Sequence, residues 1–317
     1  LGVSLGLIWA LLGSASAAAF PTKPIRIVVG FPAGGPLDLH ARLLADKLQA
    51  VLGQPVLIDY KSGAGGTVGA QEVMKAPADG HTFMVTDGST FSINPVVHKN
   101  LSYDYKRDFV PVSLAARAPL YLAVHPKIPA NNLRELIALA KAKPGMLTYG
   151  SSGIGSTHHL SMEAFKAALS LDITHIPFKG TGQSVPALIG GQVDMLFSAL
   201  PSLSGFVKAG QVRLIGNNAG KRSSQEPNVP TLAESGLPGY EAGSWYGLLA
   251  PAGTPAEIIR RINQESAKAL RQTSVRESLT GEGADVMGGT PEDFARHIKV
   301  EHGRIGKMIA DGRLKMN

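Results

Sequence analysis

Two glycine-rich stretches, Gly30-Phe31-Pro32-Ala33-Gly34-Gly35-Pro36 and Gly150-Ser151-Ser152-Gly153-Ile154-Gly155-Ser156-Thr157, carry the chemistry this sequence is best equipped for. Each lies between a strand-like run and a helical pattern. Glycines let a backbone approach a ligand, and the unpaired N–H groups of a first helical turn carry partial positive charge, so a carboxylate or phosphate binds there without Lys or Arg. Ser151, Ser152, Ser156 and Thr157 add hydroxyls able to bond a carboxylate or a neutral polar group. One such loop alone is as well read as a tight turn; two of them favour binding. Asp38 could serve as a catalytic carboxylate, but an acidic side chain in a first helical turn more readily braces the loop and suits the helix dipole.

Enzyme templates do not fit these loops. A dinucleotide fingerprint needs Gly at its first, third and sixth positions, whereas Gly153-Ile154-Gly155 runs on to His158 and Gly63-Ala64-Gly65 to Val68. A nucleophile elbow would need Gly where Ile154 stands, and no Gly-Lys-Ser/Thr phosphate loop occurs. The absence of Cys excludes a thiol nucleophile, a disulfide scaffold and thiolate metal sites. His158 and His159 point about 100° apart on a helix and lack a metal-binding spacing, so solvent-facing or loop-capping histidines are expected and no metal is called for. Trp245 and Tyr246 read as core or hinge packing.

The elements that must position these loops repeat. Ile25–Val29, Val56–Ile58 and Phe83–Val85 read as short buried strands, with helices at Leu39 to Leu48 and Val68 to Lys75 between them. This β-α-β-α-β order signals parallel strands with crossover helices. A second unit follows, with a capping box at Asn132-Leu133-Arg134-Glu135, strands at 147–149, 173–176, 195–197 and 212–215, and a helix from His159 to Leu169. Trp245 to Ala250 is strand-like. Thr254-Pro255-Ala256-Glu257 and Thr290-Pro291-Glu292-Asp293 then open two C-terminal helices through capping boxes, with no local signal for the sheet they join.

Composition bounds the remaining possibilities. A 317-residue chain that is 44% hydrophobic has a real core, and its 37 Gly and 21 Pro exclude a coiled coil or helical bundle. Its +7 charge is scattered, with only 6% aromatics, so nucleic acid is not expected as a partner. Residues 1–19 are apolar, uncharged and end in Ser14-Ala15-Ser16-Ala17-Ala18-Ala19, which reads as a cleaved signal peptide with the mature start near Phe20. A cysteine-free exported chain fits a bacterial periplasm.

Several phrases then add up. Lys23 to Val29, Phe31-Pro32-Ala33-Gly34-Gly35 with Asp38, Gly63-Ala64-Gly65-Gly66, Asp108-Phe109-Val110-Pro111-Val112, Tyr149 to Gly153, Lys179-Gly180, Gly190 to Asp194, Pro227 to Thr231 and Trp245-Tyr246-Gly247-Leu248 resemble the Bug or TctC family. Those are periplasmic solute-binding proteins of tripartite tricarboxylate transporters. The resemblance implies an α/β, two-lobed periplasmic-binding-protein fold of type II-like form, each lobe a mostly parallel sheet flanked by helices. Residues 20–120 with 246–317 would form lobe 1, and 121–245 lobe 2. It further implies a monomer, not an enzyme and without cofactor, that grips a small carboxylate or dicarboxylate in an interlobe cleft and delivers it to membrane permease subunits. Mapped onto this sequence, the expected ligand-binding set is Phe31, Ala33, Gly34, Gly35, Asp38, Gly66, Thr67, Thr86, Ser151, Ser152, Gly155, Ser156, Thr157, Lys179 and Ser198. Tyr60-Lys61-Ser62 and Gly80-His81-Thr82 depart from the family pattern, which bears on the identity of the solute. The rival readings are an exported hydrolase or lyase using Ser152 or Ser156 with His159, and a solute sensor for a two-component system.

Overall fold

The computed structural model describes residues 20–98, 100–238, 240, 243–281 and 283–310, so the leader expected over 1–19 lies outside the described residues. The first half of the chain runs β1 (Ile25–Val29), α1 (Pro36–Leu52), β2 (Val56–Tyr60), α2 (Thr67–Met74), β3 (Thr82–Asp87), α3 (Asn94–Val97), β4 (Phe109–Ala118), β5 (Tyr121–Val124), α4 (Leu133–Ala142), β6 (Thr148–Ser151) and α5 (Thr157–Leu169). It continues with β7 (Thr174–Pro177), α6 (Thr181–Ile189), β8 (Met195–Ser198), α7 (Ser204–Lys208), β9 (Arg213–Asn217), β10 (Ser244–Pro251), α8 (Ala256–Arg271), α9 (Thr273–Gly281), β11 (Asp285–Val286) and α10 (Pro291–Ala310).

Local sequence explains most of these elements. Asn132 caps α4 by accepting the Glu135 N–H at 3.0 Å, while the Glu135 carboxylate takes the Asn131 N–H at 2.7 Å. Thr290 and Asp293 form the reciprocal box that opens α10, at 3.2 and 3.1 Å. The box expected at Thr254 does not form. The Thr254 hydroxyl turns back to the Pro251 carbonyl at 2.8 Å, satisfying the end of β10, and α8 starts at Ala256 with no side-chain cap.

The strands assemble into two sheets, ordered β11-β4-β10-β3-β1-β2 and β7-β6-β8-β5-β9. The expectation of mostly parallel sheets is corrected: both are mixed. Parallel pairing is confined to β2-β1-β3 in the first and β7-β6-β8 in the second. These are the strands joined by crossover helices, which parallel pairing demands. The antiparallel remainder comes from strands that carry the chain between sheets: it leaves the first after β4 at Ala118, enters the second at Tyr121 in β5, and returns from β9 at Asn217 to β10 at Ser244.

Alternation along the strands buries both faces of each sheet. Ile25, Ile27 and Val29 join Leu37, Leu48 and the α8 residues Ile258, Ile259 and Ile262 on one side, while Val28 and Met84 meet Phe294 and Ile298 of α10 on the other. Both C-terminal helices therefore cover the first sheet. In the second sheet Leu122 and Val124 face Phe165 of α5, and Tyr121 and Ala123 face Val185 and Leu188 of α6. The last turns of α10 also reach across. Ile305 packs with Ile93 after β3 and with Leu160 and Ala164 of α5. Among the described residues no helix is long and apolar enough to cross a membrane.

Candidate functional site

A pocket lies where the carboxyl ends of the parallel strands from the two sheets meet, the position ligands take in open α/β sheets. The first sheet contributes Phe31, Pro32, Gly35, Pro36 and Leu37 after β1, Asp87 at the end of β3 and Tyr246 of β10; the second contributes Ser152, His158 and Thr181. Pro36 and Leu37 open α1, His158 is the second residue of α5 and Thr181 is the first of α6. Three helix N-termini thus converge on one pocket, each bringing about half a positive charge. Among the described residues no Lys or Arg lines it. It encloses about 20 Å³, room for a water molecule rather than a diacid, so any larger ligand requires the two sides to part.

The turn after β1 is held by its own carboxylate. Asp38, buried in the first turn of α1, accepts the Gly34 N–H at 2.9 Å, Arg42 Nε at 2.7 Å and the Tyr60 hydroxyl at 2.5 Å. Partial burial opposes ionisation, but the bonds from Tyr60, Gly34 and Arg42 outweigh it and hold this carboxyl below its ordinary range. Asp38 is therefore the brace, as its first-turn position suggests. The consequence is that the Gly34 amide is committed to the protein. Pro36 has no N–H, and the Asp38 and Leu39 amides bond the Gly35 carbonyl at 3.1 and 3.3 Å. Among the described residues the Gly35 and Leu37 N–H groups have no protein acceptor at this turn.

The second glycine-rich turn is more fully bonded than a bare anion cradle would be. Gly153 N–H donates to the Ser151 hydroxyl at 3.0 Å, Gly155 N–H to His159 Nδ1 at 3.3 Å, Ser156 N–H to the Gly153 carbonyl at 3.1 Å and His159 N–H to the Ser156 hydroxyl at 3.2 Å. Thr157 N–H leaves its own side altogether and donates to Ser89 Oγ at 2.8 Å. What this turn presents to the pocket is the Ser152 hydroxyl, buried and without a protein partner among the described residues.

The expected site residues accordingly separate. Phe31, Gly35 and Ser152 line the pocket. Ala33 and Gly34 are exposed on its rim, and Asp38 stands behind it. Gly66 (φ +88°) and Gly155 (φ +79°) are points of close approach: a Cβ on the first would collide with Thr90, and on the second with Asn94 from the opposite side. Thr67 Oγ1 accepts from Asn94 at 3.2 Å. Thr86, next to Asp87 in β3, is buried and does not line the pocket. Ser151, Ser156 and Thr157 are used in the turn as described. Lys179 is exposed, with its N–H on Gln183 Oε1 at 3.2 Å, and Ser198 is buried with no partner found among the described residues, away from the pocket lining.

His158 and His159 do not face solvent. Both are buried, and burial lowers each to about 4, so both are neutral near pH 7. His159 caps the loop and stacks on His175 at 4.2 Å, whereas His158 lines the pocket. The serine–histidine pairs of the hydrolase reading do not form: Ser156 bonds the backbone of His159, and its ring is occupied by Gly155. A different pair exists, Ser151 Oγ to His175 Nε2 at 2.7 Å, but Ser151 is 1% exposed and also accepts from Gly153, so its oxygen is not offered to a substrate.

Asp87, His158, Thr181 and Tyr246 line the pocket although the motif reading did not assign them a ligand. Asp87 is the lone acid among the described residues of the lining. It is 4% exposed and accepts the Ser89 N–H at 2.9 Å, and burial pushes its carboxyl up to about 6. Thr181 had a usable signal, since it opens a helix after Lys179-Gly180. Asp87 and Tyr246 had none, because their adjacency arises from the antiparallel pairing of β3 with β10.

Comparisons with known proteins concern the chain as a whole. Residues 40–314 match the family model described as tripartite tricarboxylate transporter family receptor, TctC. Rpa4515 of R. palustris with adipate is 38% identical, with a TM-score of 0.88 over 91% of this chain and 96% of that one. MatC (Rpa3494) from Rhodopseudomonas palustris with bound malate is 34% identical, also at 0.88, covering 92% and 100%. The periplasmic binding protein BugD is 30% identical, at 0.89 over 93% and 99%.

Proposed function

The chain belongs to the tripartite tricarboxylate transporter receptor family, and from that premise we propose that it is a non-catalytic periplasmic receptor that closes on a small carboxylate or dicarboxylate. The observation that carries this reading is the convergence of the N-termini of α1, α5 and α6 on a pocket that, among the described residues, has no Lys or Arg in its lining. Such a pocket stabilises an anion through fixed dipoles. The carboxylates named with two similar proteins, adipate and malate, support the same chemistry.

Residues 20–120 with 246–317 act as one lobe and 121–245 as the other, hinged at the two chain crossings, and parting them admits the ligand. Gly35 and Leu37 amides, the Ser152 hydroxyl, His158 and Thr181 make the direct contacts, with Phe31 as an apolar wall. Gly34, Asp38, Gly66, Thr67, Gly155, Ser156 and Thr157 hold the turns that present them. Residues 1–19 direct export and are then cleaved off. The loaded monomer delivers its solute to membrane permease subunits, which read the closed shape.

Thermal melting against a panel of mono- and dicarboxylates, adipate and malate included, tests the reading. A true ligand raises the midpoint in proportion to the logarithm of its concentration. Absence of any shift across the panel, or turnover of a carboxylic ester or acid, overturns it.

A further inference from the structure

The acid at the floor of the pocket poses a problem that the helix ends alone do not solve. Asp87 is 4% exposed, shares the pocket with whatever anion enters, and meets no Lys or Arg among the described lining residues. One of its oxygens accepts the Ser89 N–H. Three helix ends of about half a charge each compensate one anion far better than two adjacent ones. Two carboxylates in one desolvated site resolve such a conflict by sharing a proton.

The groups facing Asp87 reinforce this. From α10, Glu301 approaches Gly88, is bonded by Trp245 Nε1 and lies 3.9 Å from Arg304; it adds negative potential at Asp87. On the same helix His297 lies within the fields of Glu301, Arg117 and Arg304. From α5 comes His158, neutral by burial, from α6 the Thr181 hydroxyl, and from β10 Tyr246, whose Cα is the ladder partner of Asp87. The loop before α1 supplies no charged side chain to the lining.

Resting on the carboxylate reading, we infer that Asp87 enters the loaded state as a neutral acid, donating its proton to an oxygen of the bound anion, so that each loading event takes up a proton. Burial that already pushes this carboxyl up to about 6 accords with the geometry. The proton comes from solvent, no bond to carbon is made or broken, and release returns it. Affinity for an anion then falls as pH rises above neutrality.

Titration calorimetry with adipate and with malate, whose own carboxyls are ionised at pH 7, in two buffers of different ionisation heat, counts the protons. Wild type takes up close to one per ligand at pH 7 and binds roughly tenfold more weakly at pH 8. Asp87→Asn keeps the acceptor for Ser89, donates to the anion permanently, takes up none and loses the pH dependence. Loading without proton uptake, or wild-type affinity for a ligand bearing an ammonium group that Asp87→Asn loses, overturns the inference. A second arm needs no ligand. Melting of wild type against Asp87→Asn shows a wild-type disadvantage that grows as pH rises from about 4 to above 6, because the folded carboxyl holds its proton longer than the unfolded one. A difference independent of pH means Asp87 is ionised throughout and sinks the inference even if neither diacid binds, whereas non-binding by itself strikes the carboxylate reading.

Discussion

The backbone N–H of Thr157 donates to the Ser89 hydroxyl at 2.8 Å, and the two hydroxyl oxygens lie 3.0 Å apart in buried surroundings. Ser89 follows β3 of the first sheet and Thr157 begins α5 beside the second. One hydrogen-bonded pair therefore ties the two sides together at the mouth of a helix N-terminus, using an amide that sequence reasoning reserves for a ligand.

Replacing Ser89 with Ala leaves the Thr157 N–H without its acceptor in a buried place, a loss of roughly 1–3 kcal/mol for the contacting form. The expected outcome is a lower melting midpoint and a larger radius of gyration by small-angle X-ray scattering. Unchanged scattering with unchanged melting would show that the tie contributes nothing.

Glycines at the interface divide into two kinds, and substitution separates them. A Cβ on Gly35 would sit 2.8 Å from Thr181 Oγ1 across the pocket, while one on Gly34 (φ +86°) meets nothing within 4 Å. Gly35→Ala should abolish carboxylate-dependent stabilisation at little cost to the free protein. Gly34→Ala should lower the free protein's stability by about 1 kcal/mol through backbone strain and leave the ligand-induced shift in place. Equal effects of the two on ligand-induced shifts would contradict the assignment.

Ser152 buries a hydroxyl that has no protein partner, which is unfavourable unless a ligand uses it. Ser152→Ala is thus expected to leave melting of the free protein unchanged or slightly raised, and to weaken carboxylate binding by about 1.5–3 kcal/mol, or roughly 10–150-fold. Binding titrations decide it, and undiminished affinity removes Ser152 from the site.

The bonds on Asp38 make the turn after β1 pH-sensitive. With its folded pKa depressed, its contribution is present above the ordinary carboxylate range and disappears as pH falls through the folded value. Asp38→Asn should therefore be destabilised most near pH 7, and its melting midpoint should converge on that of wild type toward pH 3. A constant gap across that range would mean the carboxylate's charge is irrelevant to the brace.

Much of the architecture is legible locally. The run from Ile25 to Val29, the capping pair Asn132 and Glu135 and the pair Thr290 and Asp293 each encode their element through side chains within a few residues of one another. The long strand β4 is not, because Pro111 and the Ala-rich stretch around Ala115 and Ala116 blur its alternation, and only pairing with β10 defines it. Thr254 shows the opposite failure: a well-spaced box yields to a stronger local acceptor at Pro251.

By itself the sequence determined that two glycine-rich turns follow strands and open helices, that Asp38 braces the first, and that no thiol chemistry is possible. Tertiary structure decided which amides remain available, since Thr157 is taken by Ser89 from 68 residues away and Gly155 by His159. It also decided that Asp87, His158 and Thr181, distant in sequence, share one small pocket with the helix ends. Spacing along a chain specifies backbone conformation. The charge and accessibility of a group depend on what folds against it, and that is set by contacts between sheets which local sequence does not encode.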